Sequence, residues 1–187
     1  MFDKDKDAAL SKLLIAREKG LVDDLVSGLV DVVNGSVSFY TTSSCSGRIV
    51  VAQADEANKK SSFCFLGKWH DTVSVDDVKE AIEKYDEGIL WFKFEPLILH
   101  VCCCDIDSAS KFLDIAYRGG FKRSGVYQLS GKIMVEVHGT SGFSVPLGSG
   151  GDVRIPDSYL EFVVSLANLK VRGNIEKLAK LEKALVL

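Results

Sequence analysis

The sequence predicts an α+β protein: a mixed β-sheet with helices, arranged as two similar α/β half-units. Three observations carry this prediction. The hydrophobic period switches between helix-like and strand-like several times along the chain. Two central helical stretches each lie between strand-like pairs, and a long helical stretch closes the chain. Nucleotide-fold fingerprints are missing: "GSGGD" at 148–152 has no Lys-Ser/Thr after it and opens no helix directly, which speaks against a P-loop or a Rossmann-like fold. The halves share little sequence beyond "CSGRIVV" and "LSGKIMV", and no composition shift marks a boundary. The chain therefore reads as a single domain, 1–187.

The elements follow in order. Ala9, Leu10, Leu13 and Leu14 have helical spacing over 3–19, and Gly20 stops that helix. Val22, Leu25, Val26, Leu29, Val30 and Val33 repeat the pattern, ended by "NGS" at 34–36. "VSFYTT" and "RIVVAQ" then read as strands joined by a serine-rich stretch, and "SSFCFLGKW" as a third strand. Ser74 with Asp77 three residues later marks a helix start, with Val78, Ala81, Ile82 and Tyr85 as its apolar face and Gly88 as its close. "ILWFKFEPLILHVCCC" is strand-like and is broken by Pro96, which cannot donate to a ladder. Asp107 is expected to cap a helix burying Phe112, Leu113 and Ala116 and ending at Gly119 and Gly120. "GVYQLSGKIMVEVHG" reads as a hairpin turning at Ser130 and Gly131, and "SGFSVPLGSGGDVRI" as a loop with short strands. From Asp157 onward the chain is helical, with Gly173 as an expected bend at roughly 1 kcal/mol against alanine.

At 47% hydrophobic the chain can build a core. Its net charge of −3 gives no general affinity for polyanions, so a nucleic-acid partner would need a local basic patch. No run of about 18 apolar residues predicts a membrane span, and "MFDKDKDAAL" does not resemble a signal peptide. Five cysteines, three of them adjacent in "VCCCD", suit a reducing cytoplasm rather than a disulfide framework.

Several chemistries compete for the polar residues. "SFYTTSSCSGRIVV" at 38–51 packs hydroxyls, a thiol and a guanidinium into one short stretch. Cys45 could act as a nucleophile if Arg48 lowered its pKa, or it could be a cysteine chosen for size. On a strand over 97–104, His100, Cys102 and Cys104 share one face and Cys103 takes the other. Ligands two apart on one strand diverge rather than converge on a tetrahedral ion, so no metal is assigned; a buried cysteine acting as a small hydrophobe accounts better for Cys103. His100 lies in apolar company between Leu99 and Val101 and needs a partner or a task, and His70 ends a strand after Trp69. His138 sits on the expected hairpin.

Taken together, "FYTTSSCSGRI", "GKWH", "KFEPLILHV", "GFKRSGV", "VPL" and "YLEFVVSLAN" resemble, in order and spacing, the wybutosine-synthesising methyltransferase family TYW3 and its archaeal relatives. The resemblance runs from about Phe2 to about Leu185. It implies an S-adenosylmethionine-dependent enzyme that methylates N4 of a tricyclic wyosine-type base at position 37 of tRNA-Phe, on a fold unlike the usual methyltransferase. A noncatalytic tRNA- or nucleotide-binding module on the same fold is the alternative. By resemblance, Ser44, Cys45, Ser46, Gly47 and Arg48 hold the cofactor, and Arg48 suits its carboxylate. His100 is the first-choice base, Glu95 the second, and His70 a holder of the acceptor. Trp69, Lys93, Lys122, Arg123 and Ser124 face the substrate, with Trp69 stacking on a flat base. Lys59, Lys60, Lys68, Lys122, Arg123 and Lys132 make up the expected basic patch. One departure stands out: Cys104 precedes Asp105 where relatives often carry an arginine, leaving one cation fewer on the RNA side.

Overall fold

A computed structural model describes residues 1–55 and 62–186. Among these, five helices and nine strands follow one another as α1 (Phe2–Glu18), α2 (Asp24–Gly35), β1 (Phe39–Cys45), β2 (Arg48–Ala54), β3 (Cys64–Trp69), α3 (Val75–Ile82), β4 (Ile89–Glu95), β5 (Ile98–Cys103), α4 (Ile106–Arg118), β6 (Gly125–Gln128), β7 (Ile133–His138), β8 (Phe143–Ser149), β9 (Asp152–Val153) and α5 (Asp157–Val186). The α+β class predicted from the sequence is the class observed. The expected single mixed sheet is not. There are two sheets, ordered β1-β5-β7-β6 and β3-β2-β4-β8-β9, and every strand pair is antiparallel.

The chain divides into two compact units. The first holds Met1–Ser46, Leu97–Thr140 and the residues from Asn174 onward; the second holds Gly47–Pro96 and Ser141–Gly173. Strands adjacent in sequence therefore part company three times, at β1–β2, β4–β5 and β7–β8. β1 pairs with β5 in the first unit, while β2 pairs with β4 in the second. These crossings fall at Ser46–Gly47, Pro96–Leu97 and Thr140–Ser141. Gly47 has φ +102, a backbone region that glycine enters without a Cβ clash.

In the first unit, α2 turns Val26, Leu29, Val30 and Val33 onto the sheet at i, i+3, i+4 and i+7 spacing. They meet Leu99, Val101 and Cys103 of β5, Phe112 and Ala116 of α4, and Leu178 and Leu181 of α5. Each such buried aliphatic side chain contributes about 1.5–3 kcal/mol relative to exposure. Asp105, not Asp107, caps α4: its carboxylate accepts the Ser108 N–H at 2.7 Å. Asp107 lies in the first turn, where a negative charge suits the helix dipole.

In the second unit, Ile49, Val51, Leu90, Phe92 and Phe94 face Val78 and Ala81 of α3 and Leu160, Val163, Val164 and Ala167 of α5. Ser74 and Asp77 form the capping box that their spacing predicts. Gly173 does not interrupt α5, which is one 30-residue helix. Burial of Val171 before it and Leu178 after it offsets the modest cost of a helical glycine. No helix of the described residues is long and apolar enough to cross a membrane.

Candidate active site

The serine-rich stretch is mostly strand, not loop. Thr41 to Cys45 lie on β1, with a register shift between Thr41 and Ser43. Thr41 is buried and bonded to Asn34 of α2, whose Oδ1 accepts the Thr41 N–H at 2.8 Å and whose Nδ2 donates to Thr41 Oγ1 at 3.0 Å. Past the shift, Ser43 stands opposite His100 of β5, and His100 opposite Glu136 of β7. These three residues form one row across the face of the sheet turned away from Leu99 and Val101.

His100 Nε2 lies 2.9 Å from Glu136 Oε2, and the Tyr127 ring sits 5.1 Å from the imidazole, centroid to centroid. With Glu136 ionised and the imidazole neutral, Nε2–H donates to the carboxylate and Nδ1 keeps its lone pair. That is the arrangement a general base needs: an oriented imidazole with one nitrogen left for a proton. Neither Glu136 nor Tyr127 was expected from sequence, although strand alternation over 133–138 would place Glu136 on the face opposite Val135 and Val137. Burial and the nearby Glu136 carboxylate both push the Tyr127 phenol above its usual range.

Thr42, Ser43 and Ser44 line a groove of ≈440 Å³ beneath α1, together with Asp5, Lys12 and Lys132 and the apolar Ala9 and Leu13. Hydroxyls, a carboxylate and ammonium groups over an apolar wall form a donor set that fits a ligand with a ribose, an amine and a carboxylate. Tyr40 bounds the same groove. Its hydroxyl is pushed up to about 12, chiefly by burial.

Ser46 plays a different part. It is buried, its N–H donates to Asp23 Oδ2 at 2.8 Å, and its carbonyl accepts from Asn174 Nδ2 at 3.0 Å. Asp23 also caps α2 through Leu25 N–H. Sequence reading missed Asp23 and Asn174. An aspartate before an apolar helix signals a cap, but nothing local tells that its second oxygen holds a residue 23 positions on. Cys45 is partly buried opposite Ile98.

In the second unit, Arg48 and Glu95 are register neighbours on β2 and β4, with Arg48 Nε 2.5 Å from Glu95 Oε2. The guanidinium also lies 5.2 Å over the Phe65 ring. Arg48 thus pairs with a carboxylate, and Glu95, the second-choice base, is the acceptor of that charged pair. His70 Nδ1 lies 3.1 Å from the Gly47 carbonyl, so Nδ1–H donates and fixes the tautomer. Trp69 packs into the second core and folds back over Gly67, where a Cβ would come within 2.1 Å of the indole. The open aromatic on this sheet is instead Phe65, 48% exposed. Lys93 Nζ lies 4.6 Å over the Phe63 ring and 5.3 Å over that of Trp91.

The remaining candidates scatter. Ser124 is buried and its hydroxyl donates to the Phe121 carbonyl at 2.7 Å, closing the turn after α4. Lys122 and Arg123 are exposed on that turn. Lys132 pairs with Asp5 at 3.1 Å. Lys68 is exposed on β3. Lys59 and Lys60 lie outside the described residues. His100, Cys102 and Cys104 do not gather: Cys102 packs with Tyr40 and Met134, and Cys104 Sγ lies 3.2 Å from Ser108 Oγ.

A two-sheet antiparallel α+β protein with an oriented imidazole beside a polar groove is unlike the doubly wound nucleotide enzymes, and comparison with known proteins gives the class a name. The chain matches the family model described as Methyltransferase TYW3 over residues 4–186. It is 42% identical over 182 residues to a Thermococcus sibiricus tRNA(Phe) 7-((3-amino-3-carboxypropyl)-4-demethylwyosine(37)-N(4))-methyltransferase, covering 97% of this chain and 92% of the relative. An Archaeoglobus fulgidus protein of the same name is 37% identical over 99% of this chain and 93% of its own. Among solved structures, the PH1069 protein of Pyrococcus horikoshii superposes with a TM-score of 0.95 at 38% identity, covering 98% of this chain and 95% of that one. An Aeropyrum pernix hypothetical protein superposes at 0.75 with 25% identity, over 87% of this chain and 96% of its own. The chain belongs to the TYW3 methyltransferase family, and it is a methyltransferase.

Proposed function

We propose that this enzyme transfers a methyl group from S-adenosylmethionine to N4 of 7-(3-amino-3-carboxypropyl)-4-demethylwyosine at position 37 of tRNA-Phe, in the cytoplasm. The family match and the archaeal relatives' names support the substrate. The observation in the structure that carries the reading is His100 oriented by Glu136 on the open face of the first sheet. The family model spans both units, which supports one working domain over 1–187.

Bound S-adenosylmethionine would supply an electrophilic methyl carbon on a sulfonium. Its transfer to the acceptor nitrogen, with the sulfonium leaving as a neutral thioether, would require that nitrogen to give up its proton. His100 Nδ1 takes that proton, while Glu136 holds the imidazole in place and balances its charge. Glu136 acts through His100 and is a positioning residue. The stretch Ser44 to Arg48 is assigned to the donor: Ser44 lines the groove, Asp23 and Asn174 fix Ser46, Gly47 allows close approach, and Arg48 offers its two terminal nitrogens to a carboxylate. His70 is assigned to holding the acceptor.

The test is methyl transfer from labelled donor to tRNA-Phe carrying the 4-demethylwyosine derivative, against tRNA-Phe with unmodified guanosine at position 37. Label on the first and not the second supports the assignment. No label on either, with tRNA bound, would favour a noncatalytic module and overturn it.

A further inference from the structure

The second sheet has two unlike faces. One carries Ile49, Val51, Leu90, Phe92 and Phe94 and is covered by α3 and the first part of α5. By strand alternation the other carries Arg48, Val50 and Ala52 of β2, Trp91, Lys93 and Glu95 of β4, and Phe65 and Lys68 of β3. This outer face combines three features. Its aromatic rings form a connected layer: Phe63 and Phe65 meet edge to face at 5.2 Å, and Lys93 lies over both Phe63 and Trp91. Its cations outnumber its acids, with Arg48, Lys68 and Lys93 against Glu95, in a chain whose net charge is −3. And it is open at its β3 side, where Phe65 is half exposed and Lys68 exposed, beside a floor of fully buried Val50 and Ala52.

We infer that this face is a stacking platform for unpaired nucleotides, and that its occupant is the anticodon loop of the tRNA substrate. The inference rests on the tRNA reading proposed above and adds the surface that grips the RNA. Bases stack on an aromatic ring whatever their identity, and the cations beside the rings meet the phosphates between successive bases. Arg48 stacked on Phe65 extends the platform, because a guanidinium plane offers its far face to a further flat group. Sequence reading placed the stacking aromatic at Trp69, four residues on from Phe65 in the same strand. Trp69 and Phe65 fall on opposite faces because of the register shift in β3 between Val51 and Ala52 of its partner.

The experiment measures binding of a synthetic tRNA-Phe anticodon stem-loop, without methyl donor, to the full chain and to Phe65→Ala, Phe65→Trp and Lys93→Ala. Leaving the donor out removes any role of Arg48 in donor binding from the readout. Phe65→Ala should weaken binding roughly tenfold, the size of one lost base stack. Phe65→Trp should restore it, which a merely structural role would not do. Lys93→Ala should lower the slope of log affinity against log salt by about one. Thermal melts of all four proteins check the fold. Wild-type affinity in both Phe65→Ala and Lys93→Ala would overturn the platform while leaving methyl transfer intact as a reading. A wild-type protein that binds no stem-loop would overturn the platform as well. Binding lost in Phe65→Ala by an enzyme that methylates no tRNA would keep the platform and sink the proposed reaction.

Discussion

Each unit carries a side chain paired with a carboxylate between register neighbours on its sheet: His100 with Glu136 in the first, Arg48 with Glu95 in the second. Both pairs sit on the face turned away from their unit's main core, and each has an aromatic ring about 5 Å away, Tyr127 and Phe65. The geometry is alike and the chemistry is not. An imidazole changes its charge near neutral pH, so a carboxylate beside it orients a group that can accept and release a proton. A guanidinium never does so in a protein, so the second pair is a fixed dipole with a flat face and spare donors. In the proposed function the same strand-to-strand device would serve proton transfer in one unit and ligand holding in the other.

The sharpest way to break this comparison is to remove the imidazole. His100→Ala should lower the rate of methyl transfer on the order of 100-fold or more, with donor and tRNA affinities near wild type. Glu136→Gln should cost less than His100→Ala, because it leaves the base in place and removes only its orienting charge. A His100→Ala enzyme of wild-type rate would take proton transfer away from this pair.

Arg48→Ala comes next. It should weaken S-adenosylmethionine binding about tenfold by calorimetry, the loss expected for a charged hydrogen bond to a carboxylate. Arg48→Lys should not restore it, since an ammonium cannot match a bidentate contact or stack on Phe65 as a guanidinium does. Stability should move little in either variant. The pair is partly exposed, and such pairs contribute about 0–1 kcal/mol. Equal donor affinity in wild type and Arg48→Ala would remove the donor from the second pair.

How far the sequence could show these pairs differs between the two units. Short-range features were readable: the Ser74–Asp77 capping box, the break at Pro96 and the hairpin turn at Gly131 all depend on neighbours a few residues apart. His100 and Arg48 were singled out as unusual residues in strand-like surroundings. Their partners were not equally visible. Glu95 lay in the motif "KFEPLILHV", but Glu136 reaches His100 only through the β5–β7 register, a pairing 36 residues away that no local spacing encodes. The same limit explains the single mixed sheet expected from sequence. A single sheet would make adjacent strands neighbours, whereas Ser46–Gly47, Pro96–Leu97 and Thr140–Ser141 pass the chain between two sheets. The cap of α4 slipped by two residues because Asp105 and Asp107 both suit a helix start, and only the extended backbone at Asp105 (φ −153, ψ 176) decides between them.

A packing change in the second unit should act on stability rather than chemistry. A methyl at Gly67 would meet the Trp69 indole at 2.1 Å and the Ala81 methyl at 2.8 Å. Gly67→Ala should therefore destabilise the protein by about 1–3 kcal/mol in urea unfolding, as overpacking does, and shift tryptophan emission as Trp69 moves. An unchanged midpoint would mean that Trp69 is loosely held and available to stack on a base after all.

The smallest effect separates the units by pH. The first unit buries Cys103, whose thiol is pushed up to about 12, chiefly by burial, from an ordinary 9.0; Tyr40 is raised from 10.0 to about 12 for the same leading reason. Both are neutral when protonated and both are raised in the folded state. Their contribution is complete below about pH 9 and is lost as pH rises from 9 toward 12, because the unfolded chain gives up these protons first. The second unit holds both tryptophans of the chain, Trp69 and Trp91. Alkali should therefore erode the far-ultraviolet signal of helix and strand before it moves tryptophan emission. Cys103→Val should flatten the first transition and leave emission as it was. Simultaneous loss of both signals, unchanged by Cys103→Val, would show that the buried thiol plays no part in alkaline stability and that the two units respond to pH as one.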